Sequence, residues 1–132
     1  MHIDPTQDQV AAFQAGAEDP APVFMLNLLR FRERADAPDD DVSGAEAYLR
    51  YSAIAGEHLA RVGGEIVWAG GCHDALIGPG DREWDVVAVV RYPSRAKFLE
   101  MVADPDYLAG TVHRTASLAD SRLIPCTQAP LG

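Results

Sequence analysis

Little in this chain would tie it to a membrane, a metal or a nucleic acid. No apolar run in its 132 residues approaches the roughly 20 that a membrane helix needs. Only two cysteines occur, Cys72 and Cys126, far apart and without ligand spacing, so neither a disulfide framework nor a zinc site is expected. Positive charge is scarce: 11 Lys and Arg against 20 Asp and Glu give a formal net charge of −9 at pH 7. Such a chain repels polyanions, which argues against nucleic acid and acidic membrane surfaces as partners. Arg30, Arg32 and Arg34 form a small basic cluster that reads as a solvated strand exit. Met1-His2-Ile3-Asp4-Pro5 has no basic stretch followed by an apolar one, so no signal peptide is expected. A cytoplasmic location with two free thiols follows as the expectation. Neither repeats nor a linker divide the chain, and residues 1–132 are expected to form one domain.

What is present is a soluble, patterned sequence, 48% hydrophobic. Thr6 and Gln9 have the spacing of a capping box and open a short helix carrying Val10 and Phe13. A first strand is predicted over residues 23–31, followed by an acidic loop over 33–42. Ser43 and Glu46 form a second capping-box pattern, and a helix is predicted over 43–62 with the stripe Tyr48, Tyr51, Ala55, Leu59, Val62. Gly63-Gly64 closes it. A second strand over 65–69 and an extended piece over 75–77 lead through Gly78-Pro79-Gly80-Asp81 to a third strand over 84–92. Ser94 caps the next helix, Asp104-Pro105 interrupts it, and a last strand spans 121–125.

After the leading helix the order is strand, helix, strand, strand, helix, strand. Right-handed crossovers leave few arrangements, and the ferredoxin-like split βαβ fits: an α+β fold with strands one and three central and both helices on one face. Both central strands are apolar on both sides. Met25 and Leu29 oppose Leu26 and Leu28, and Val87 and Val89 oppose Val86 and Val90. A sheet face meeting water would alternate with polar residues. The helices cover one face only, so a second copy is expected on the other, giving a homodimer paired sheet to sheet.

Several phrases occur in order: Pro22-Val23-Phe24-Met25-Leu26-Asn27-Leu28-Leu29-Arg30-Phe31, Ser43-Gly44-Ala45-Glu46-Ala47-Tyr48, Arg91-Tyr92-Pro93-Ser94-Arg95, Asp104-Pro105-Asp106-Tyr107 and His113-Arg114. Together, from about Pro22 to Ile124, they closely resemble the domain-of-unknown-function family thirteen-thirty of the dimeric α/β-barrel superfamily. The resemblance implies a ferredoxin-like protomer pairing into a barrel. The wider superfamily includes cofactor-free monooxygenases, lactone isomerases, stress-responsive small proteins and some haem enzymes. Since one fold hosts many functions, the site must be read from its residues.

Two polar groups interrupt the oily central strands, Asn27 and Arg91, and each is costly to bury without a partner. Asn27 either binds a carbonyl or enolate oxygen or ties neighbouring backbone together; Arg91 either clamps an anionic group in a cavity or pairs with an acid such as Asp85. Tyr48 and Tyr51 share a helix face, either as core residues or as pocket residues. Trp68 is core or an aromatic wall. His113 is the best acid–base candidate by its ordinary pKa, with a salt-bridge role as the alternative, and Tyr51 is a second proton carrier. His58 and His73 are weaker candidates.

The histidines lack paired metal-ligand spacing, so no metal and no cofactor are expected, although haem on a single histidine stays open. Asp39, Asp41, Ser43 and Gly44 imitate the start of a calcium loop, but Arg50 stands where its last acidic ligand belongs. The glycine pairs lack a phosphate-loop lysine, and Ser94 lacks the flanking glycines of a nucleophile elbow.

Two function classes follow. One is a small cofactor-independent enzyme, monooxygenase- or isomerase-like, acting on an apolar carbonyl or phenolic metabolite. In it Arg91 would hold an anionic end and Asn27 an oxyanion, Tyr48 and Trp68 would line the pocket, and His113 or Tyr51 would move a proton. The other is a non-catalytic homodimer with a binding or structural role.

Overall fold

A computed structural model describes residues 1–131 and contains eight elements: α1 (Gln7–Ala15), β1 (Val23–Phe31), α2 (Gly44–Arg61), β2 (Glu65–Gly71), β3 (Val86–Tyr92), α3 (Arg95–Ala103), α4 (Pro105–Ser117) and β4 (Leu118–Cys126). The strands pair antiparallel in one sheet of order β2-β3-β1-β4. This is the ferredoxin-like arrangement expected from the order of elements, with β1 and β3 central.

Pairing register assigns every central side chain to a face. Met25 lies opposite Val90, Asn27 opposite Ala88 and Leu29 opposite Val86. These residues face the helices, and Met25 and Val90 join a core in which Val23, Met25, Val62, Tyr92, Met101 and Tyr107 are buried together. Burying a side chain the size of Leu29 contributes about 1.5–3 kcal/mol. The opposite set comprises Phe24 with Arg91, Leu26 with Val89 and Leu28 with Val87, and it forms the outer face. No helix of the described chain covers that side; α2 packs along α4 on the other.

The helix starts match their sequence signals. Thr6 Oγ1 accepts the Gln9 N–H at 3.1 Å while the Gln9 side chain accepts the Thr6 N–H at 2.9 Å. Ser43, Ser94 and Asp104 each cap a helix, and Pro105 sits in the first turn of α4. At Ser43 the side chain accepts the Glu46 N–H, making one half of a capping box.

Three expectations need correction. Residues 75–77 form no strand; Leu76 and Ile77 stand almost fully exposed in the loop between β2 and β3. β4 begins three residues earlier than predicted, at Leu118. Trp68 is not core. A register irregularity between Ile66 and Trp68 turns the edge strand β2, so that Trp68 joins Val89 on the outer face and remains 58% exposed.

The acidic loop between β1 and α2 is held by one clamp. Asp39 is buried, accepts a hydrogen bond from Arg50 Nη1 at 2.6 Å and pairs with His113 Nδ1 at 2.7 Å. Arg50 also reaches Asp41 at 3.2 Å, so an arginine supplies the cation that a calcium-loop reading would have sought. Burial would raise the Asp39 pKa, but the bonds to His113 and Arg50 outweigh it and hold the carboxyl below its ordinary 3.8. A second tie lies at the start of α2, where the Gly44 N–H donates to Arg32 O at 3.0 Å and the Arg32 N–H donates to Ser117 O at 2.8 Å.

Two predictions follow from these ties. A Cβ at residue 44 would run into the Arg32 and Ser117 carbonyls, so Gly44→Ala should cost about 1–3 kcal/mol in urea unfolding; an unchanged midpoint would contradict the close packing. His113→Ala should destabilise the fold by about 1–3 kcal/mol at pH 7, because it strips one partner from a buried carboxylate. Asp39 has a folded-state pKa below its unfolded value, so its contribution is complete above pH 3.8 and lost as pH falls through the lower value. Stability followed by urea titration should therefore drop below about pH 4 in the wild type and drop less in His113→Ala.

Candidate functional site

A cleft of about 1570 Å³ lies on the helix side of the sheet. Asn27, Leu29 and Ala88 belong to its sheet wall, and Tyr48 and Tyr51 of α2, with Tyr107 and Arg114 of α4, to its helical wall. Residues from His2 to Phe13, including α1, form a further side. Its walls are mostly apolar, with a few polar groups inserted, as ligand sites generally are.

Aromatic rings run along the helical wall. Phe31 and Tyr48 have centroids 5.4 Å apart, Tyr48 and Tyr51 5.3 Å, and Tyr51 and Tyr107 6.2 Å. The Tyr51 and Tyr107 hydroxyls share a hydrogen bond of 2.7 Å. Burial first, then the Tyr107 hydroxyl, pushes the Tyr51 phenol well above its ordinary pKa of 10. Burial raises Tyr48 as well, opposed by the positive charge of Arg114. Both are therefore neutral phenols near pH 7: they can donate a hydrogen bond, and neither serves as a base.

Asn27 meets both of its readings in part. Its Nδ2 donates to the Met25 carbonyl at 3.2 Å, which satisfies one donor on the backbone of its own strand. The rest of the amide faces the cleft. The Tyr48 hydroxyl makes no hydrogen bond to the other described residues, although it lies in the cleft wall. Arg114 donates from Nη1 to Ile3 O at 2.7 Å and from Nη2 to Ser121 Oγ at 3.4 Å. Asn27, Tyr48, Tyr51 and Arg114 all present donors, the polarity suited to an electron-rich oxygen.

Three residues singled out in the sequence lie elsewhere. Arg91 is on a strand adjacent to Asn27 but opposite Phe24, hence on the outer face, so the two do not converge. Nor does Asp85 pair with Arg91; it accepts the Phe31 N–H at 2.8 Å and binds Arg82 at 3.1 Å. Trp68 shares the outer face with Arg91. His113 belongs to the Asp39 clamp, the salt-bridge role weighed above, and is absent from the cleft wall. Of the weaker candidates, His58 is buried, stacks edge-on against Tyr107 and approaches Asp104 at 3.7 Å; His73 lies in the exposed β2–β3 loop.

Arg114 and Tyr107 were the residues overlooked. Tyr107, Thr111 and Arg114 follow i, i+4, i+7 spacing and all line the cleft, whereas His113 is turned about 100° from Arg114. That spacing was the available signal. Among the described residues no cluster of three or more His, Cys, Asp or Glu is arranged to hold a metal ion, and no helix is long and apolar enough to cross a membrane.

Comparison with known proteins agrees with this architecture. A protein of unknown function from Rhodopseudomonas palustris is 45% identical, with 97% of each chain covered and a TM-score of 0.90. At 14% identity the chain is similar in fold to a hydroxynitrile lyase from Passiflora edulis, over 86% of this chain and 98% of that one, with a TM-score of 0.56. It is also similar, at 14% identity and a TM-score of 0.52, to a protein from Thermobifida fusca described as a dimeric ferredoxin-like protein of unknown function, over 83% and 93% of the two chains. No curated protein matches the sequence. The family described as Domain of unknown function (DUF1330) matches residues 39–125, from the Asp39 clamp to the penultimate residue of β4, and this chain belongs to that family.

Proposed function

We propose that the cleft between sheet and helices binds a small, largely apolar metabolite through a carbonyl or phenolic oxygen, and that any chemistry there proceeds without a cofactor by hydrogen-bond donation to that oxygen. The observation that carries this reading is the Tyr48 hydroxyl, left without a partner in an apolar cleft beside the partly free Asn27 amide. A hydroxyl that has no protein partner in an apolar cleft is free to donate to a ligand oxygen, which adds orientation to apolar contact. Tyr51, kept protonated, would donate a hydrogen bond to a ligand oxygen on which charge builds. A cytoplasmic location goes with this reading.

The same proposal includes a homodimer. Leu26, Leu28, Val87 and Val89 form an apolar outer face that no helix of the protomer covers, and Trp68 extends it. A second copy, sheet against sheet, would remove that surface from water. The Thermobifida fusca protein of the same fold is described as dimeric.

Thermal shift with small aromatic aldehydes, phenols and keto acids tests the cleft. A compound at ten times its Kd should stabilise the fold by about 1.4 kcal/mol, read as a Tm rise of several degrees. Asn27→Ala and Tyr48→Phe should abolish most of that rise, and Arg91→Ala should keep it. No stabilisation by any compound would leave only a structural homodimer. Light scattering at micromolar protein should give twice the protomer mass of 14.2 kDa, and Leu26→Asp should give the protomer mass; a wild-type monomer would contradict the pairing.

A further inference from the structure

Of the three arginines that line the cleft, Arg95 lies over the Phe13 ring, Arg122 pairs with Asp120, and Arg114 is held by neutral groups of the chain itself. Arg114 is half-buried, yet among the described residues no carboxylate forms an ion pair with it. Its two polar contacts are neutral oxygens: the main-chain carbonyl of Ile3 and the Ser121 hydroxyl. The nearby acid, Asp120, is committed elsewhere. It accepts the His2 N–H and Arg122 Nη1, each at 2.8 Å, the Ser121 N–H at 2.9 Å and Arg30 Nη2 at 3.4 Å.

The segment that occupies Arg114 is lightly attached. α1 contains no buried residue. Its far end rests on an edge-to-face contact of Phe13 with Phe98 at 5.2 Å, and on Arg95, which lies 4.8 Å over the Phe13 ring and donates to Phe13 O. Its near end is latched by main-chain groups: the His2 N–H to Asp120, the Ser121 Oγ hydroxyl to His2 O, and Arg114 to Ile3 O. Residues of this whole stretch line the cleft.

We infer that the cleft's ligand carries a carboxylate that is taken by Arg114, and that residues 1–15 form a strap which the carboxylate displaces. A charge-assisted bond to a carboxylate is roughly twice as strong as one to a neutral carbonyl, and a guanidinium accommodates two carboxylate oxygens side by side. The Ile3 carbonyl is thus a placeholder that satisfies Arg114 and gives way to an anion. Since the strap then competes with ligand, whatever loosens the strap tightens binding. The ligand class narrows to a small aromatic or otherwise apolar carboxylic acid, its charge at Arg114 and its second oxygen toward Tyr48 and Asn27. This rests on the cleft being a ligand site.

The test uses 4-hydroxybenzoate and its uncharged analogue 4-hydroxybenzamide on the full chain, by calorimetry and by hydrogen exchange of the α1 amides. The acid should bind well and the amide at least tenfold more weakly. Adding the acid should speed exchange in α1. His2→Pro, which deletes the N–H donated to Asp120, should bind the acid about three- to tenfold tighter and change the amide by less. Phe13→Ala, which frees the other end, should do the same. Equal affinity for acid and amide, slower α1 exchange with acid, or weaker acid binding in both variants would overturn the strap and leave the cleft reading standing. Binding of neither compound would remove both.

Discussion

Pairing of Asn27 with Ala88 across β1 and β3 decides which side of the sheet each central residue serves. Side chains alternate along a strand, so a slip of one residue between the two strands would put Asn27 and Arg91 on the same face. The apolar residues on both faces do not set this register, because either choice buries Val or Leu. Hydrogen bonds at the strand ends do: the Asp85 N–H donates to Leu29 O at 2.8 Å, and Asp85 Oδ2 accepts the Phe31 N–H at 2.8 Å. With that register, Met25 and Tyr92 close one end of the interlayer space as packed core. The segment from Asn27 to Phe31 opens toward Tyr48 and becomes a cleft.

Electrostatic character follows from the same geometry. Helical phase puts Tyr48 and Tyr51 of α2 and Tyr107 and Arg114 of α4 on cleft-lining faces; among the described residues Asp4 is the one acid that lines the cleft, while Asp39 and Asp120 are committed to ion pairs. Although the chain is strongly acidic as a whole, this cleft is lined by hydrogen-bond donors and by Arg95, Arg114 and Arg122. Desolvation strengthens such donors toward an oxyanion and keeps the phenols protonated. Base chemistry is therefore not what these side chains offer; polarising a bound oxygen is.

Much of the fold was legible because local signals agreed. Thr6, Ser43, Ser94 and Asp104-Pro105 announced the helices, Gly63-Gly64 closed α2, and the order of elements left one natural sheet. The site was legible by halves. Asn27, Tyr48 and Tyr51 could be named because each broke or extended a pattern within one element. Their relation to Arg91 could not, since strand parity within β3 does not say which face of β1 it shares. Trp68 leaves the core because of a register irregularity in an edge strand, which leaves no mark in the four apolar letters from Ile66 to Ala69. His113 attracted notice by its chemistry, whereas its neighbour Arg114 had the helical phase to reach the cleft. That spacing was present and was outweighed by residue type.

Ligand binding depends on donors that converge from the helix side of the sheet. An NMR titration of the protein with phenylpyruvate, following the Asn27 side-chain amide and the Arg91 and Arg114 Nε–H signals, tests it most directly. Saturable shifts at Asn27 and Arg114 with Arg91 unmoved are the predicted result. A shift at Arg91 with Asn27 and Arg114 silent would contradict it.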